Sequence, residues 1–253
     1  MRSKRQAMLI PSRAASKMNN RFKVILAVRF SGYLVFFIGV ISFIFMMGPL
    51  VQAEASYRLD RVLRVKRTVP KVITSIEQPG SNPEGSSSAA AGPVNFSGVS
   101  AEENSIIPVS TEYGIVIEKI NANAKVIAGV NPANEREYVR ALTGGVAEAL
   151  GSTPPGQPGN LYLFSHSTDA PWNIVRFNAI FYLLRELTPG DRVIVFYKNR
   201  RYDYIVFDKS IVSPTDVSYL TNKYDYPVLT LQTCDPPGTL LNRLIIRAKL
   251  VSS

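Results

Sequence analysis

The 253-residue chain contains one cysteine, one histidine and one tryptophan. A lone cysteine closes no disulfide within its own chain, so a disulfide scaffold is excluded. A zinc site built from Cys and His alone is excluded as well, because such sites take up to four of these ligands. Acidic residues are missing from one end: positions 1–29 hold eight basic side chains and no acid, and positions 30–53 hold no charge. Positions 54–104 balance six bases against six acids, and positions 105–253 carry 15 bases and 13 acids. Eight of the ten excess positive charges therefore sit in the first 29 residues. The remainder is nearly neutral, which argues against a nucleic-acid-binding surface. The 46% hydrophobic content suits a packed domain rather than a wholly disordered chain.

Residues 30–51 form an uncharged run of 22, FSGYLVFFIGVISFIFMMGPLV. As a helix it would span about 33 Å, enough for a hydrocarbon core of about 30 Å. Ala53-Glu54-Ala55 offers a small-residue sequence of the kind found at signal-peptide cleavage sites. Cleaved signals, however, have apolar regions of about 7–15 residues, and this run is longer. It is expected to be an uncleaved single-pass anchor in a lipid bilayer. The acid-free tail predicts a cytoplasmic N-terminus and an extracytoplasmic remainder, although Arg58, Arg61, Arg64, Lys66 and Arg67 reduce the asymmetry.

In residues 78–104, 13 of 27 are Gly, Ser or Pro. Such a segment buries too little apolar surface to offset its ordering entropy, and it is expected to act as a flexible tether with a reach of about 30 Å. Asn95-Phe96-Ser97 fits a glycosylation sequon. The organisation expected is a basic cytoplasmic tail (1–29), a transmembrane helix (30–51), a juxtamembrane segment and linker (52–104), and a folded domain (105–253).

Within that domain, short apolar runs rich in Val, Ile, Leu and aromatics recur at 113–119, 125–128, 160–165, 192–197, 202–207, 228–234 and 243–251. These predict strands. Residues 134–142 and 172–187 predict helices, the second ended by Thr188-Pro189-Gly190. Seven or eight strands with few helices point to a small β-barrel or sandwich.

Cys234 closes the alternating strand VLTLQTC, on the more polar of its two faces. In the following strand, RLIIRAKLV, Arg243, Ile245, Arg247 and Lys249 share the face opposite Leu244, Ile246, Ala248 and Leu250. If the two strands pair antiparallel across residues 235–242, Arg243 lies beside Cys234. Arg247 then lies about 13 Å further along and is the weaker candidate. A thiol nucleophile needs a partner that titrates near neutral pH, and His166, at the end of NLYLFSH, is the only imidazole. A nearby imidazolium or guanidinium favours the thiolate.

Thr230-Leu231-Gln232-Thr233-Cys234, followed by Pro236, Gly238 and Arg243, resembles the sortase signature, and is closest to the classes with a Thr-Cys-x-Pro-x-Gly-like turn. Pro155-Gly156-x-x-Gly159-Asn160 leading to His166 is similar to the family's approach to its histidine, and Ile117-x-Lys119-Ile120 and Leu187-x-x-Gly190-Asp191 fit too. The resemblance covers about residues 107–251. The family commonly has Gly before the histidine and Arg after it, whereas Ser165 and Ser167 stand here. Residues 54–112 contain no Asp-Pro-aromatic lid tripeptide.

The resemblance implies a mainly β, eight-stranded barrel with short helices. It also implies a cysteine transpeptidase with Cys234 as nucleophile, His166 as acid/base, Arg243 as oxyanion or substrate clamp, and Thr233 and Ser165 at the substrate. Its substrates would be secreted proteins ending in a Leu-Pro-x-Thr-Gly-like sorting signal, joined to a cell-wall or surface-protein amine. No cofactor or metal is implied, and calcium dependence is left open. Two alternatives stand beside it: a membrane-anchored thiol peptidase using water, and an inactive peptide-binding relative.

Overall fold

The computed structural model describes residues 20–70, 104–167 and 180–252. The chain divides into two units, 1–45 and 46–253. Helix α1, Asn20–Val62, contributes to both. In the first unit, Asn20–Phe45 is a 26-residue candidate membrane span of mean hydropathy 2.3 with no buried surface. The apolar run predicted a span at 30–51. Helical structure starts ten residues earlier, and it continues through Ala53 and Ala55 to Val62 without a break.

The second unit contains a closed barrel of eight strands. These are β1 (Tyr113–Ile117), β2 (Ala122–Val130), β3 (Val146–Ala149), β4 (Gly159–Phe164), β5 (Arg192–Tyr197), β6 (Arg200–Val212), β7 (Pro227–Asp235) and β8 (Asn242–Ser252). They are ordered β1-β2-β3-β4-β7-β8-β6-β5, and β5 pairs back to β1. β2 with β3 and β4 with β7 are parallel, and the other pairs are antiparallel. The mainly β barrel expected from the motifs is therefore the fold.

The period-two patterns explain the core. Leu161 and Leu163, Leu229 and Leu231, and Leu244 and Ile246 all point inward and are almost fully buried. Outside, helix α2 (Glu135–Gly144) covers Ala147, Ala149, Tyr162 and Phe164 through Ala141 and Leu142. Asn134 caps α2 by accepting a hydrogen bond from the Glu137 amide, as expected for a short polar residue at that position.

The glycines of the Pro155-Gly156-x-x-Gly159 motif have physical reasons. Gly156 has φ +83°, and a Cβ there would lie 2.4 Å from the Tyr202 ring. Gly159 has φ +132°, and a Cβ there would lie 2.2 Å from the Thr153 hydroxyl oxygen. Neither conformation nor space admits a side chain. The Gly156 amide in turn donates to the Tyr204 hydroxyl at 3.0 Å. Burial pushes that phenol up to about 12.

Three local expectations changed. β3 was not anticipated. β6 runs five residues past the predicted end at 207, because its distal part pairs with the first half of β8. In the predicted helix 172–187, the described part is a 3₁₀ turn at Tyr182–Glu186, and residues 168–179 lie outside the described residues.

Most of the predicted tether, and the glycosylation sequon with it, lies outside the described residues, but its flanks meet. Thr68 and Ser105 form an isolated parallel bridge, in which the Thr68 amide donates to the Asn104 carbonyl at 3.2 Å and the Ile106 amide to the Thr68 carbonyl at 3.0 Å. Val69 is 4% exposed and packs with Ile106, Val116, Ile194 and Phe196. Its amide donates to Glu118 Oε1, and Arg201 Nη1 donates to its carbonyl. A boundary at residue 105 leaves this contact out. Burying a valine side chain contributes about 1.5–3 kcal/mol. A fragment starting at 105 should therefore melt at least about 4 °C below one starting at 64, by calorimetry on both.

Glu148 alternates inward with Val146 and accepts a hydrogen bond from the Tyr113 hydroxyl at 2.5 Å. Burial raises its carboxyl above the usual range, against the opposing effect of that bond. A raised folded-state value makes a contribution that is present at low pH and lost as pH rises through it. Glu148→Gln should melt like the parent near about pH 4 and above it near about pH 8, in a pH series of thermal melts.

Candidate active site

β7 and β8 form the hairpin that the alternation predicted. Cys234 pairs directly with Arg243, Gln232 with Ile245 and Thr230 with Arg247. Because Leu229, Leu231, Leu244 and Ile246 fill the barrel, Cys234, Gln232, Arg243 and Arg247 must point outward. Cys234, which is in no disulfide, is a half-buried thiol at the strand end.

His166 is brought to the same end by β4, which runs parallel to β7 with Phe164 beside Gln232. Two bonds extend this pairing to the histidine. The Ser165 amide donates to the Gln232 carbonyl at 3.1 Å, and the Thr233 hydroxyl donates to the Ser165 carbonyl at 3.0 Å. The residue before His166 is thus fastened to the two residues before Cys234. Ser165, Ser167 and Thr233 are all buried. The hydroxyls of Ser165 and Ser167, on either side of His166, have no hydrogen-bond partner among the described residues. Thr233 and Ser165, the two residues expected at the substrate, are joined by this hydroxyl–carbonyl bond.

The two arginines differ sharply. Arg243 Nη1 donates to the carbonyls of Asn242, at 3.2 Å, and Leu240, at 3.5 Å, so its guanidinium lies over the hairpin turn next to Cys234. It also acts electrostatically on Tyr162, opposing the burial that raises that phenol. Arg247 is enclosed. It bonds Asp208 at 3.0 Å and the Tyr224 hydroxyl at 3.3 Å, and its guanidinium carbon lies 5.2 Å and 5.5 Å from the ring centroids of Phe207 and Tyr219. Burial alone would lower its pKa, and the bonds to Tyr224 and Asp208 reverse this to a net rise.

Tyr219 and Tyr224 lie on the β6–β7 connection, which contains the short helix α3 (Ser218–Thr221). Tyr219 and Leu220 pack on the cluster containing Tyr162 and Phe164, and Asn160 Nδ2 donates to the Tyr219 carbonyl at 2.9 Å. This connection therefore lies along the outer face that leads to Cys234. No role was assigned from sequence to the outward-facing Asn160, Tyr162 and Gln232, although alternation along β4 and β7 marks all three. Two further motifs meet elsewhere: Lys119 pairs with Asp191 at 2.7 Å, and the same carboxylate accepts from the Thr188 amide at 2.6 Å. Among the described residues no group of three or more His, Cys, Asp or Glu could hold a metal ion.

The chain is similar to several solved structures. Sortase C-1 from Actinomyces oris is 26% identical with a TM-score of 0.48, over 57% of this chain and 76% of that one. A sortase D5 transpeptidase from Clostridium perfringens is 23% identical with a TM-score of 0.46, over 56% and 79%. Sortase A from Corynebacterium diphtheriae is 23% identical with a TM-score of 0.47, over 56% and 61%. A curated relative, the dUMP-forming dCTP deaminase of Methanocaldococcus jannaschii, is 30% identical over 133 residues, 49% of this chain. The chain spans 62% of that relative's length. The Sortase domain family matches residues 115–251, more than half of the chain and nearly the whole barrel. The chain belongs to the sortase family.

Proposed function

We propose that the protein is a membrane-anchored sortase-type cysteine transpeptidase. Its substrates are secreted proteins with a Leu-Pro-x-Thr-Gly-like C-terminal signal, and its acceptor is a cell-surface amine. The observation that carries this reading is the direct pairing of Cys234 with Arg243, with the His166 segment fastened to the same strand. The Cys234 thiolate attacks the scissile carbonyl, and the carbon becomes tetrahedral with its oxygen negative. Arg243 donates to that oxygen where charge develops. His166 gives its proton to the leaving amine as the C–N bond breaks, which leaves a thioester on Cys234. The incoming amine, deprotonated by His166, attacks the thioester and releases the thiolate. Thr233 and Ser165 hold the His166 segment in register with the nucleophile.

Detergent-solubilised full-length protein, incubated with a sorting peptide and an amine, should give an acyl adduct at Cys234 and an amine-joined product by mass spectrometry. A hydrolysed peptide alone, whatever the amine concentration, would assign the protein as a thiol peptidase. An absence of adduct and product with every peptide and amine would leave only a peptide-binding role.

The acid-free tail preceding the span supports a reading in which the barrel lies outside the cytoplasm. Protease added to intact spheroplasts should digest it; protection until lysis reverses the orientation.

A further inference from the structure

Gln232 lies two residues before Cys234 on the same outward face, about 7 Å along the strand. Its side chain is half-buried and is gripped at one end: the Tyr162 hydroxyl donates to Gln232 Oε1 at 2.5 Å. Tyr162 is itself fixed, being 4% exposed in the cluster under α2, and its amide donates to the Ser152 hydroxyl. Burial raises the Tyr162 phenol, so it remains a donor at any working pH. With Oε1 committed to an O–H donor, the amide cannot rotate without losing that bond, and Nε2 is turned to the other side. Nε2 makes no hydrogen bond among the described residues. A polar donor is thereby held, unspent, on the face leading to the thiol, between Phe164 of β4 and Ile245 of β8.

We infer that Gln232 is a specificity-determining residue. Its Nε2 donates to an acceptor oxygen of the bound peptide about two residues from the scissile bond, and Tyr162 is the positioning residue that sets the amide's orientation. The distance follows from the strand rise, since a peptide extended along β7 with its reacting carbonyl at Cys234 advances about 3.3 Å per residue. This rests on the transpeptidase reading for the identity of the peptide, though not for the arrangement of the amide. Gln232→Glu keeps size and shape and removes the donor. Gln232→Leu removes both polar ends. Tyr162→Phe leaves the amide in place and frees its orientation.

The test is binding of a fluorescein-labelled Leu-Pro-x-Thr-Gly peptide series to full-length protein carrying Cys234→Ala, read by anisotropy so that turnover is not needed. Gln232→Leu and Gln232→Glu should each raise Kd about tenfold and Tyr162→Phe about threefold, the range of one neutral hydrogen bond. Tyr162→Phe added to Gln232→Leu should cost nothing more, because the tyrosine acts only through the amide. In the Cys234 forms the rate of iodoacetamide alkylation should stay at the parent value, which separates peptide recognition from thiol chemistry. Should Gln232→Leu destabilise the protein, the isosteric Gln232→Glu carries the same comparison. A Kd unchanged by both Gln232 variants overturns the inference while leaving the transpeptidase reading intact. Additive losses from Tyr162 and Gln232 overturn the positioning role. A series that fails to bind the parent overturns both the inference and the proposed substrate class.

Discussion

Replacing Cys234 with alanine should remove both turnover and covalent labelling by a thiol-reactive substrate analogue. The sequence has no second thiol to substitute for it. In a comparable covalent hydrolase, loss of the nucleophile costs on the order of 10⁶ in kcat. The thiol is half-buried on the outside of the barrel, so alanine opens no core cavity and the melting temperature should stay at the parent value. Peptide cleavage by Cys234→Ala above a few per cent of the parent rate would end the thioester mechanism. Parallel measurements with His166→Ala report the general acid, whose positioning typically contributes about 10²–10⁴-fold.

Arg243 and Arg247 share one strand face, yet the same substitution should injure them in opposite ways. Arg243 uses one nitrogen on two turn carbonyls and stands opposite Cys234, so its remaining N–H groups can meet a developing oxyanion. Removing such a donor typically costs about 10²–10³ in rate, and Lys, a point charge, replaces the planar fork poorly. Arg243→Ala and Arg243→Lys should each lose at least about 100-fold in kcat/KM with unchanged melting. Arg247 is built into the wall: one ion pair, one phenol bond and two aromatic faces, together worth about 2–3 kcal/mol. Arg247→Ala should lower the melting temperature by about 5–10 °C and kcat/KM by less than about tenfold. From sequence alone, Arg247 reads as an exposed neighbour of no consequence for stability; the partners that bind it come from β6 and the β6–β7 connection. If Arg247→Ala instead abolishes activity at parental stability, the role proposed for Arg243 belongs to Arg247.

What could be read along the chain was whatever depended on near neighbours. Strict alternation in 228–234 and 243–251 carried the strands, their faces and, through a short turn, the pairing of Cys234 with Arg243. What depended on distant partners could not be read. β3 has only four residues, Val-Ala-Glu-Ala, with two alanines and an inward glutamate; it is a strand because β2 and β4 flank it. The distal half of β6, Asp208–Val212 in sequence, has polar residues at three of five positions and becomes extended only against β8. Thr233 and Ser165 were assigned from the signature, but their hydroxyl–carbonyl bond joins residues 68 apart. Tyr162 and Gln232, 70 apart, are joined in the same way. Val69 sits in a basic, polar stretch whose composition hides a core residue.

The bridge between Thr68 and Ser105 changes what the Gly/Ser/Pro-rich stretch does for the molecule. A leash gains reach as it lengthens; a loop knotted at its base does not. Thr68 and Ser105 meet at one point on the barrel surface, so the number of residues between them does not set the spacing between the last turns of α1 and the barrel. That spacing is set by Val69 in its cluster, by its amide's bond to Glu118 and by the bond that Arg201 donates to its carbonyl. Doubling such a loop costs only about 0.6 kcal/mol of closure entropy. The stretch is therefore free to vary in length and composition, or to carry inserted sequence, while the barrel keeps its contacts with Val69.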